Sequence, residues 1–264
     1  MMPDLKEPLW FLAATAVIFG MVTIRYFVVA GIFYLVFYSW RPQVWTSRRI
    51  NDRPFTKKQF RTEVLWSLVT SVIFALAGAV SVLLWQRGSL RVYEDVAKYS
   101  WWWLPGSMVV ALLLHETYYY WLHRWMHRPA VFRIVHRVHH ASRITSPWTA
   151  FSFHPLEGLL QAIFLPLLLL VMPMHLYVVL YYLTLMTFSS VINHLDVEIY
   201  PAGFHRHVPG RWLIGATHHS LHHTQFRYNF GLYFTFWDRW GKTESPLFGE
   251  LFEKKTRKAP DANP

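Results

Sequence analysis

Eight of the fifteen histidines in this 264-residue chain fall into three short motifs. Residues three and four apart are neighbours on the surface of a helix, so each motif gathers its imidazoles within a wedge of about 100°. Neutral imidazole is the commonest metal ligand among protein side chains. The spacing therefore predicts two metal ions held by three helical segments. The motifs are an HxxxH of His123 and His127, an HxxHH of His136, His139 and His140, and a second HxxHH of His219, His222 and His223.

Composition limits both the ligands and the class of protein. The chain contains no cysteine, which excludes disulfides, iron–sulfur clusters and thiolate chemistry. Hydrophobic residues make up 53% of the chain and charged residues only 16%, which is low for a soluble protein and indicates one integral membrane domain. The net charge of +11 fits the basic cytoplasmic face of a membrane protein. Nucleic-acid binding is not expected, since no recognition motif accompanies the charge.

Four apolar stretches predict the membrane-embedded elements. The first is too long for a signal peptide and is predicted to be one tilted or kinked helix, with two short spans broken at Arg25 as the alternative. The last contains Pro166 and Pro173 and is predicted to be a helical hairpin. We expect an all-α integral membrane protein with about four or five membrane-embedded helices. The stretches are residues 8–40, 63–85, 101–122 and 156–192.

Basic residues predict the orientation of these spans. The 41–62 loop holds seven Lys or Arg residues, whereas the 86–100 loop holds three beside Glu94 and Asp95. The positive-inside rule makes the first loop cytoplasmic, so the three motifs should form one cytoplasmic, histidine-rich helical cap that holds the dimetal site. We expect N-terminal transmembrane helices in residues 1–112, a histidine-box catalytic domain in 113–246 that includes a membrane hairpin at 156–193, and a basic C-terminal tail in 247–264, disordered from Lys254.

The predicted imidazole ligands limit the metals that the site could bind, but they do not identify the reaction. An all-imidazole site with open positions suits iron, copper or zinc. Two ions beside a membrane favour oxidative attack on an unactivated C–H bond. A zinc- or heme-binding membrane protein without redox turnover is the alternative. A transporter that relays protons through its histidines is disfavoured, because the motifs follow the end of an apolar span and no inverted repeat is visible.

Longer stretches around the motifs resemble the membrane-bound fatty acid hydroxylase / sterol desaturase superfamily. These are residues 119–124 (YYWLHR), 146–150 (SPWTA) and 153–158 (FHPLEG), and the run HHTQFRYNFGLYFTFWDR at 222–239. That last run is most similar to the sterol C-5 desaturases. The resemblance extends over about residues 113–246. Arg227 replaces the usual Asn and Glu116 the common Asp, and neither position is a predicted ligand.

The resemblance implies a di-iron, O₂-dependent enzyme that hydroxylates or desaturates a lipid. It also implies a separate electron donor, ferredoxin or a cytochrome b5-like protein, since no fused heme-binding module is visible in this chain. The site would face the cytoplasm from a bacterial inner membrane, or from the endoplasmic reticulum in a eukaryote. The lipid, and the choice between hydroxylation and desaturation, stay open. The resemblance adds His194 as a further ligand.

The remaining polar residues divide between ligands and supports. His154 is predicted to be either a ligand or a residue that holds the other ring nitrogen of a ligand. Glu116 lies about two turns before His123, on the same helix face, and would orient a ligand imidazole or pair with an arginine. Asp196, Glu198 and Asp238 are weaker candidates for the same supporting role. We expect His218 to support a ligand, His115 to be a buried, hydrogen-bonded side chain, His175 to lie at the external hairpin tip, and His205 and His207 to be loop residues.

The charge distribution makes the orientation testable. A reporter fused after Pro264 should read cytoplasmic, whereas one inserted at Ser89 should read external, because the basic loop stays in the cytoplasm. An external N-terminus should accompany these results if residues 8–40 cross once. A cytoplasmic reading at Ser89 would contradict the predicted orientation, since it places the histidine motifs outside.

Overall fold

The computed structural model describes residues 4–52 and 55–257. Arg53, one of the seven basic residues of the 41–62 loop, and residues 258–264 of the predicted tail lie outside the described residues. Described regular structure is almost entirely helical. The helices are α1 (Pro8–Tyr34), α2 (Pro42–Trp45), α3 (Lys57–Gln86), α4 (Trp103–Met126), α5 (Pro129–Val131), α6 (Pro155–Ala162), α7 (Phe164–Val171), α8 (Leu176–Asn193), α9 (Ala216–Gln225), α10 (Phe236–Trp240) and α11 (Phe248–Thr256).

Three helical segments are long and apolar enough to cross a membrane, namely Pro8–Trp40, Lys57–Gln86 and Leu176–Asn193. The prediction of an all-α membrane protein is confirmed. The first segment is one continuous helix that ends in a π-helical turn at Leu35–Trp40, so Arg25 does not divide it. Helix α4, the predicted third span, is not among the three. Its second half carries buried His115 and Glu116, and its crossing of the membrane stays a prediction.

The predicted hairpin is present. Helices α6 and α7 form its first arm and α8 returns as the second. At its tip, β2 (Met174–His175) pairs in parallel with β1 (Val92–Tyr93), which ties the tip to the loop that follows α3. The Trp103 indole also donates to the Pro173 carbonyl at 2.9 Å. Since His123 lies twenty residues further along α4, the hairpin tip and the first motif are about 30 Å apart.

A buried carboxylate fixes the connection between the second motif and the hairpin. Glu63 on α3 accepts hydrogen bonds from Ser142 at 2.6 Å, Ser146 at 2.8 Å and Thr149 at 2.9 Å. Its side chain is 1% exposed. These bonds hold the 3₁₀ turn Pro147–Phe151, which lies between the second motif and α6, against α3. One charged residue in an apolar helix thereby positions a loop more than eighty residues away in sequence.

The C-terminal part of the described chain is more ordered than predicted. Lys254 and Lys255, expected in a disordered tail, belong to α11. This helix buries Phe248, Phe252 and Thr256. Phe248 and Phe252 form a small hydrophobic cluster with Leu221 of α9. The expectation of disorder from Lys254 onward is therefore wrong for residues 254–256, because one apolar face of the helix packs against a motif-bearing helix.

Candidate metal centre

The first motif lies where α4 ends. His123 is in the last turn and His127 is the C-cap residue. Arg128 takes an extended conformation before Pro129, as expected for a residue that precedes proline. The proline begins the next helical segment, so the chain turns directly from the first motif toward the second. His123 is fully buried and His127 is half-buried.

The second motif departs from the predicted helix. It runs through a π-helical turn at Phe132–His136 and a 3₁₀ turn at His139–Ala141. The third motif lies on the regular helix α9, as predicted. In both HxxHH motifs the imidazoles divide between two positions instead of converging on one. A wedge of about 100° is wide enough for neighbouring side chains to reach two ions on either side of the motif.

Nine histidines gather into two groups, and within each group the potential ligand atoms lie within 4.8 Å of one another. Metal–nitrogen bonds of about 2.0–2.1 Å place opposite ligands about 4 Å apart, so each group has the dimensions of a metal site. All eight histidines of the three motifs are included, together with His194. The first group is His123, His127, His136, His140 and His222, and the second is His139, His194, His219 and His223.

Hydrogen bonds to the outer nitrogens determine what the inner nitrogens can do in the first group. His123 Nδ1 lies 2.9 Å from the Phe230 carbonyl, which can only accept, so Nδ1 carries the proton. His222 Nδ1 likewise donates to the Tyr228 carbonyl at 2.7 Å. The Nε2 atoms of His123 and His222 therefore carry lone pairs, and other ring nitrogens of the group lie 3.0–3.1 Å from them. Lone pairs gathered this closely repel unless they bind a common cation.

The second group shows the same arrangement. His139 Nδ1 donates to the Ser152 carbonyl at 3.3 Å, and His194 Nδ1 donates to the Ser190 carbonyl at 2.7 Å. Their Nε2 atoms lie 3.2 Å apart. Both nitrogens are consequently unprotonated and point at one another. This chemistry of the donor set fits a bound cation in each group.

Burial keeps these imidazoles neutral. Desolvation, followed by the neighbouring histidines, lowers the pKa of His139, His219 and His223 well below the usual value of 6.5. Desolvation also lowers the pKa of His194 to about 4. The same causes act on His136 and His140 in the first group. A metal ligand must be unprotonated, so the sites are set for metal binding at neutral pH.

Glu157 supports a candidate ligand imidazole, a role that was not predicted from the sequence. Its carboxylate and the His136 ring that it contacts are both 0% exposed. A carboxylate on the second ring nitrogen fixes the orientation of a ligand imidazole and raises its basicity. The available signal was its place in the FHPLEG stretch, at the start of α6.

Glu116 supports the site differently from the prediction. Its carboxylate contacts no imidazole in the described part of the chain and instead accepts from the backbone N–H groups of Leu232, Tyr233 and Phe234. Asp238 similarly accepts from the N–H groups of Phe230 and Gly231. The two carboxylates hold the loop whose Phe230 carbonyl accepts the hydrogen bond from His123 Nδ1. Glu116 thus acts through the backbone and not as a direct partner of a ligand.

The other predicted candidates lie apart from the two groups. His154 Nδ1 accepts from the Leu156 N–H at 3.3 Å as the N-cap of α6, and the structure does not bring it to either group. His218 is buried with Nε2 4.0 Å from Asp238. His115 Nδ1 contacts the hydroxyls of Tyr182 and Tyr233, as expected for a buried, hydrogen-bonded side chain.

The histidines expected to be remote also contact other parts of the chain. His175 bonds the Glu94 carbonyl through Nε2 and the Tyr177 N–H through Nδ1, so both ring nitrogens are used. His205 lies 3.8 Å from Glu253, and His207 is exposed. Asp196 and Glu198 are buried, where Asp196 accepts from Asn51 and Glu198 from the Tyr200 N–H.

An apolar cavity of about 390 Å³ reaches the second group. Leu176 at the start of α8 and Asn193 at its end both line it, so it follows about 26 Å of helix. His194 and His219 line it beside Asn193. An elongated, largely apolar space of this size suits the hydrocarbon body of a lipid.

Comparison with known proteins identifies relatives of this arrangement. Residues 108–243 match the family model described as fatty acid hydroxylase. A Delta(7)-sterol 5(6)-desaturase of Gibberella zeae is 30% identical over 208 residues, which cover 76% of this chain and 61% of the relative. Lathosterol oxidase of Mus musculus is 30% identical over 192 residues, 71% of this chain and 62% of the relative. The chain spans about three fifths of the length of these relatives. No solved structure matches it.

Replacement of one histidine in either group should lower the metal content from about two ions per chain to about one. No neighbouring side chain can replace a buried ligand. We expect this for His140→Ala in the first group and for His219→Ala in the second, measured by elemental analysis of the purified protein. His175→Ala is the matched control and should retain both ions. Wild-type metal content in both group variants would contradict the assignment.

Glu157→Gln should weaken metal binding by the first group about 10- to 100-fold, since an amide lacks the negative charge that the carboxylate places beside the His136 ring. Competition with a calibrated chelator measures the affinity. The same chemical change at Glu253, which pairs with Arg206 away from the two groups, should leave affinity unchanged. Equal metal affinities of the two variants would show that Glu157 does not support the first group.

Proposed function

The chain belongs to the fatty acid hydroxylase family, and from that premise we propose that it is an O₂-dependent, di-iron oxidoreductase that hydroxylates or desaturates a membrane lipid. The family model spans residues 108–243, which contain all three histidine motifs. The resemblance to sterol desaturases expected from those motifs is confirmed by the similarity to the fungal desaturase and the murine oxidase. A sterol-like lipid is accordingly the first substrate to test, with a fatty-acyl lipid as the second.

The observation that carries the proposal is the junction between the apolar cavity and the second histidine group. His194 and His219 line the cavity and also belong to that group. A hydrocarbon in the cavity would therefore lie beside any ion that these imidazoles hold. The largely apolar lining of the rest of the cavity suits a hydrocarbon substrate, which favours attack on an unactivated C–H bond over hydrolysis.

The nine histidines would hold the two iron ions, which supply when bound the capacity to activate O₂. The residues of the chain position and insulate this centre. Backbone carbonyls of Phe230, Ser152 and Ser190 keep the ligand protons on Nδ1, so that the Nε2 lone pairs point inward. The Glu157 carboxylate lies 2.9 Å from His136 Nδ1, where its charge would orient that imidazole. Fixed tautomers and buried rings give each ion an unprotonated ligand set without rearrangement.

Electrons would come from a separate donor, and the surface near the motifs suits an acidic one. Exposed arginines flank or interrupt the first two motifs, where a docked protein would lie close to the ligands. A basic patch steers an acidic redox partner and raises its association rate. In the orientation proposed from the basic loops, this patch faces the cytoplasm. The arginines are Arg124, Arg128, Arg133, Arg137 and Arg143.

Metal exchange tests the proposal against a zinc protein without turnover, because imidazole ligands accept both metals. Protein loaded with iron should consume O₂ when given a reductant and a lipid extract that contains sterols, and mass spectrometry should detect a hydroxylated or desaturated lipid. Zinc-loaded protein, with the same metal stoichiometry, should do neither and is the matched control. Iron-loaded protein that produces no oxidised lipid from any extract would overturn the proposal.

A further inference from the structure

One amide lies where the cavity meets the second histidine group. Asn193 is the last residue of α8 and directly precedes His194. Its side chain is 1% exposed and lines the cavity. A polar side chain in such a position is either satisfied within the protein or available to a bound molecule.

The orientation of the Asn193 amide is fixed by its partner. Nδ2 donates to the Leu232 carbonyl at 2.8 Å. A carbonyl can only accept, so a flipped amide would set two acceptors against each other. The Leu232 carbonyl is itself held, since the Tyr233 N–H of the same peptide group donates to Glu116. The Oδ1 atom is therefore the free end of the amide, and it can only accept.

That acceptor is unsatisfied within the described protein. Asn193 Oδ1 is buried and has no hydrogen-bond partner among residues 4–52 and 55–257. The nearby hydroxyls on α8 are already used, because Ser190 donates to the Ala150 carbonyl and Thr187 to the Leu183 carbonyl. A buried acceptor without a donor is costly, so a bound molecule that supplies the donor gains affinity and a fixed orientation.

We propose that Asn193 Oδ1 accepts a hydrogen bond from a hydroxyl group of the substrate, which makes the substrate a lipid alcohol with its hydroxyl at the metal end of the cavity. This inference rests on the proposed lipid oxidation and specifies its substrate class. A hydroxyl supplies the missing donor, whereas an ester, a thioester or a carboxylate has only acceptors. Asn193 would thus select alcohols over acyl lipids and set which carbon lies beside the second histidine group.

A second unsatisfied group in the cavity wall provides the competing interpretation. Arg25 lines the same cavity, and its Nε has no partner in the described chain. A guanidinium offers only donors and favours a carboxylate. A hydroxyl can donate to Asn193 and still accept from another group, whereas a carboxylate leaves Asn193 unsatisfied. An alcohol can therefore satisfy both unsatisfied groups of the cavity wall, whereas an acid can satisfy only Arg25.

Equilibrium binding to the iron-loaded protein in nanodiscs tests the inference without turnover. The probes are a Delta(7)-sterol and its 3-ketone, and 2-octadecanol and 2-octadecanone, so that each pair differs only in the donor. Wild-type protein should bind at least one alcohol about 10-fold more tightly than its ketone, the worth of about one hydrogen bond. Asn193→Leu should reduce this ratio to about 1, and Thr187→Val, the matched control in the same wall, should preserve it.

Each other result overturns the inference. Equal binding of alcohol and ketone by the wild type, or no binding of either pair, removes the hydroxyl contact, and the wild-type ratio decides this even if Asn193→Leu fails to fold. Tighter binding of octadecanoate than of both alcohols would assign recognition to Arg25 and an acyl substrate. An unchanged ratio in Asn193→Leu would place the hydroxyl elsewhere. Failure of the proposed oxidation is a distinct result, because it is scored by O₂ consumption and lipid products.

Discussion

Mutual repulsion among inward-facing imidazole nitrogens is the constraint on which the rest of this structure depends. In the pair His139–His194, both outer nitrogens donate to backbone carbonyls, so the lone pairs of the inner nitrogens meet at 3.2 Å. Burial prevents protonation from relieving the contact, because it disfavours the imidazolium. A cation is the remaining way to stabilise the arrangement. Folding of this region and metal binding are therefore expected to be coupled.

The surrounding acceptors explain why so many carboxylates are buried in an apolar protein. Glu157 contacts a ligand imidazole directly. Glu63, Glu116 and Asp238 act one step further away, since they bind the loops that supply the carbonyls or carry the motifs. A loop without regular hydrogen bonds can be fixed in an apolar interior only if other groups satisfy its N–H donors. Glu116 and Asp238 fulfil that requirement in the loop that carries the Phe230 carbonyl, whereas Glu63 holds its loop through side-chain hydroxyls.

The membrane helices and the metal centre form one functional unit through α8. This helix borders the cavity along its length and ends at Asn193, and the next residue in the chain is His194. A lipid that enters along this helix would meet an apolar wall, then an amide acceptor, and then the second histidine group. In the proposed function, the same helix would bring substrate recognition and a metal ligand to adjacent positions in the sequence, which would link the orientation of the lipid to the site of attack.

The sequence alone determined most of the histidines that come together and the broad architecture. The HxxxH and HxxHH spacings identified eight histidines of the two groups, the resemblance added His194, and the apolar stretches indicated helices in a membrane protein, because spacing and hydropathy are local properties. Only the tertiary structure decided how the nine histidines divide, and that His136 and His140 face one group while His139 faces the other. That division depends on a π turn and a 3₁₀ turn. Likewise, the partners of Glu63, Glu116 and Glu157 lie on segments distant in the chain or on other turns. No local pattern encodes which buried N–H or ring nitrogen a carboxylate will meet, because that pairing is fixed only when the segments pack together.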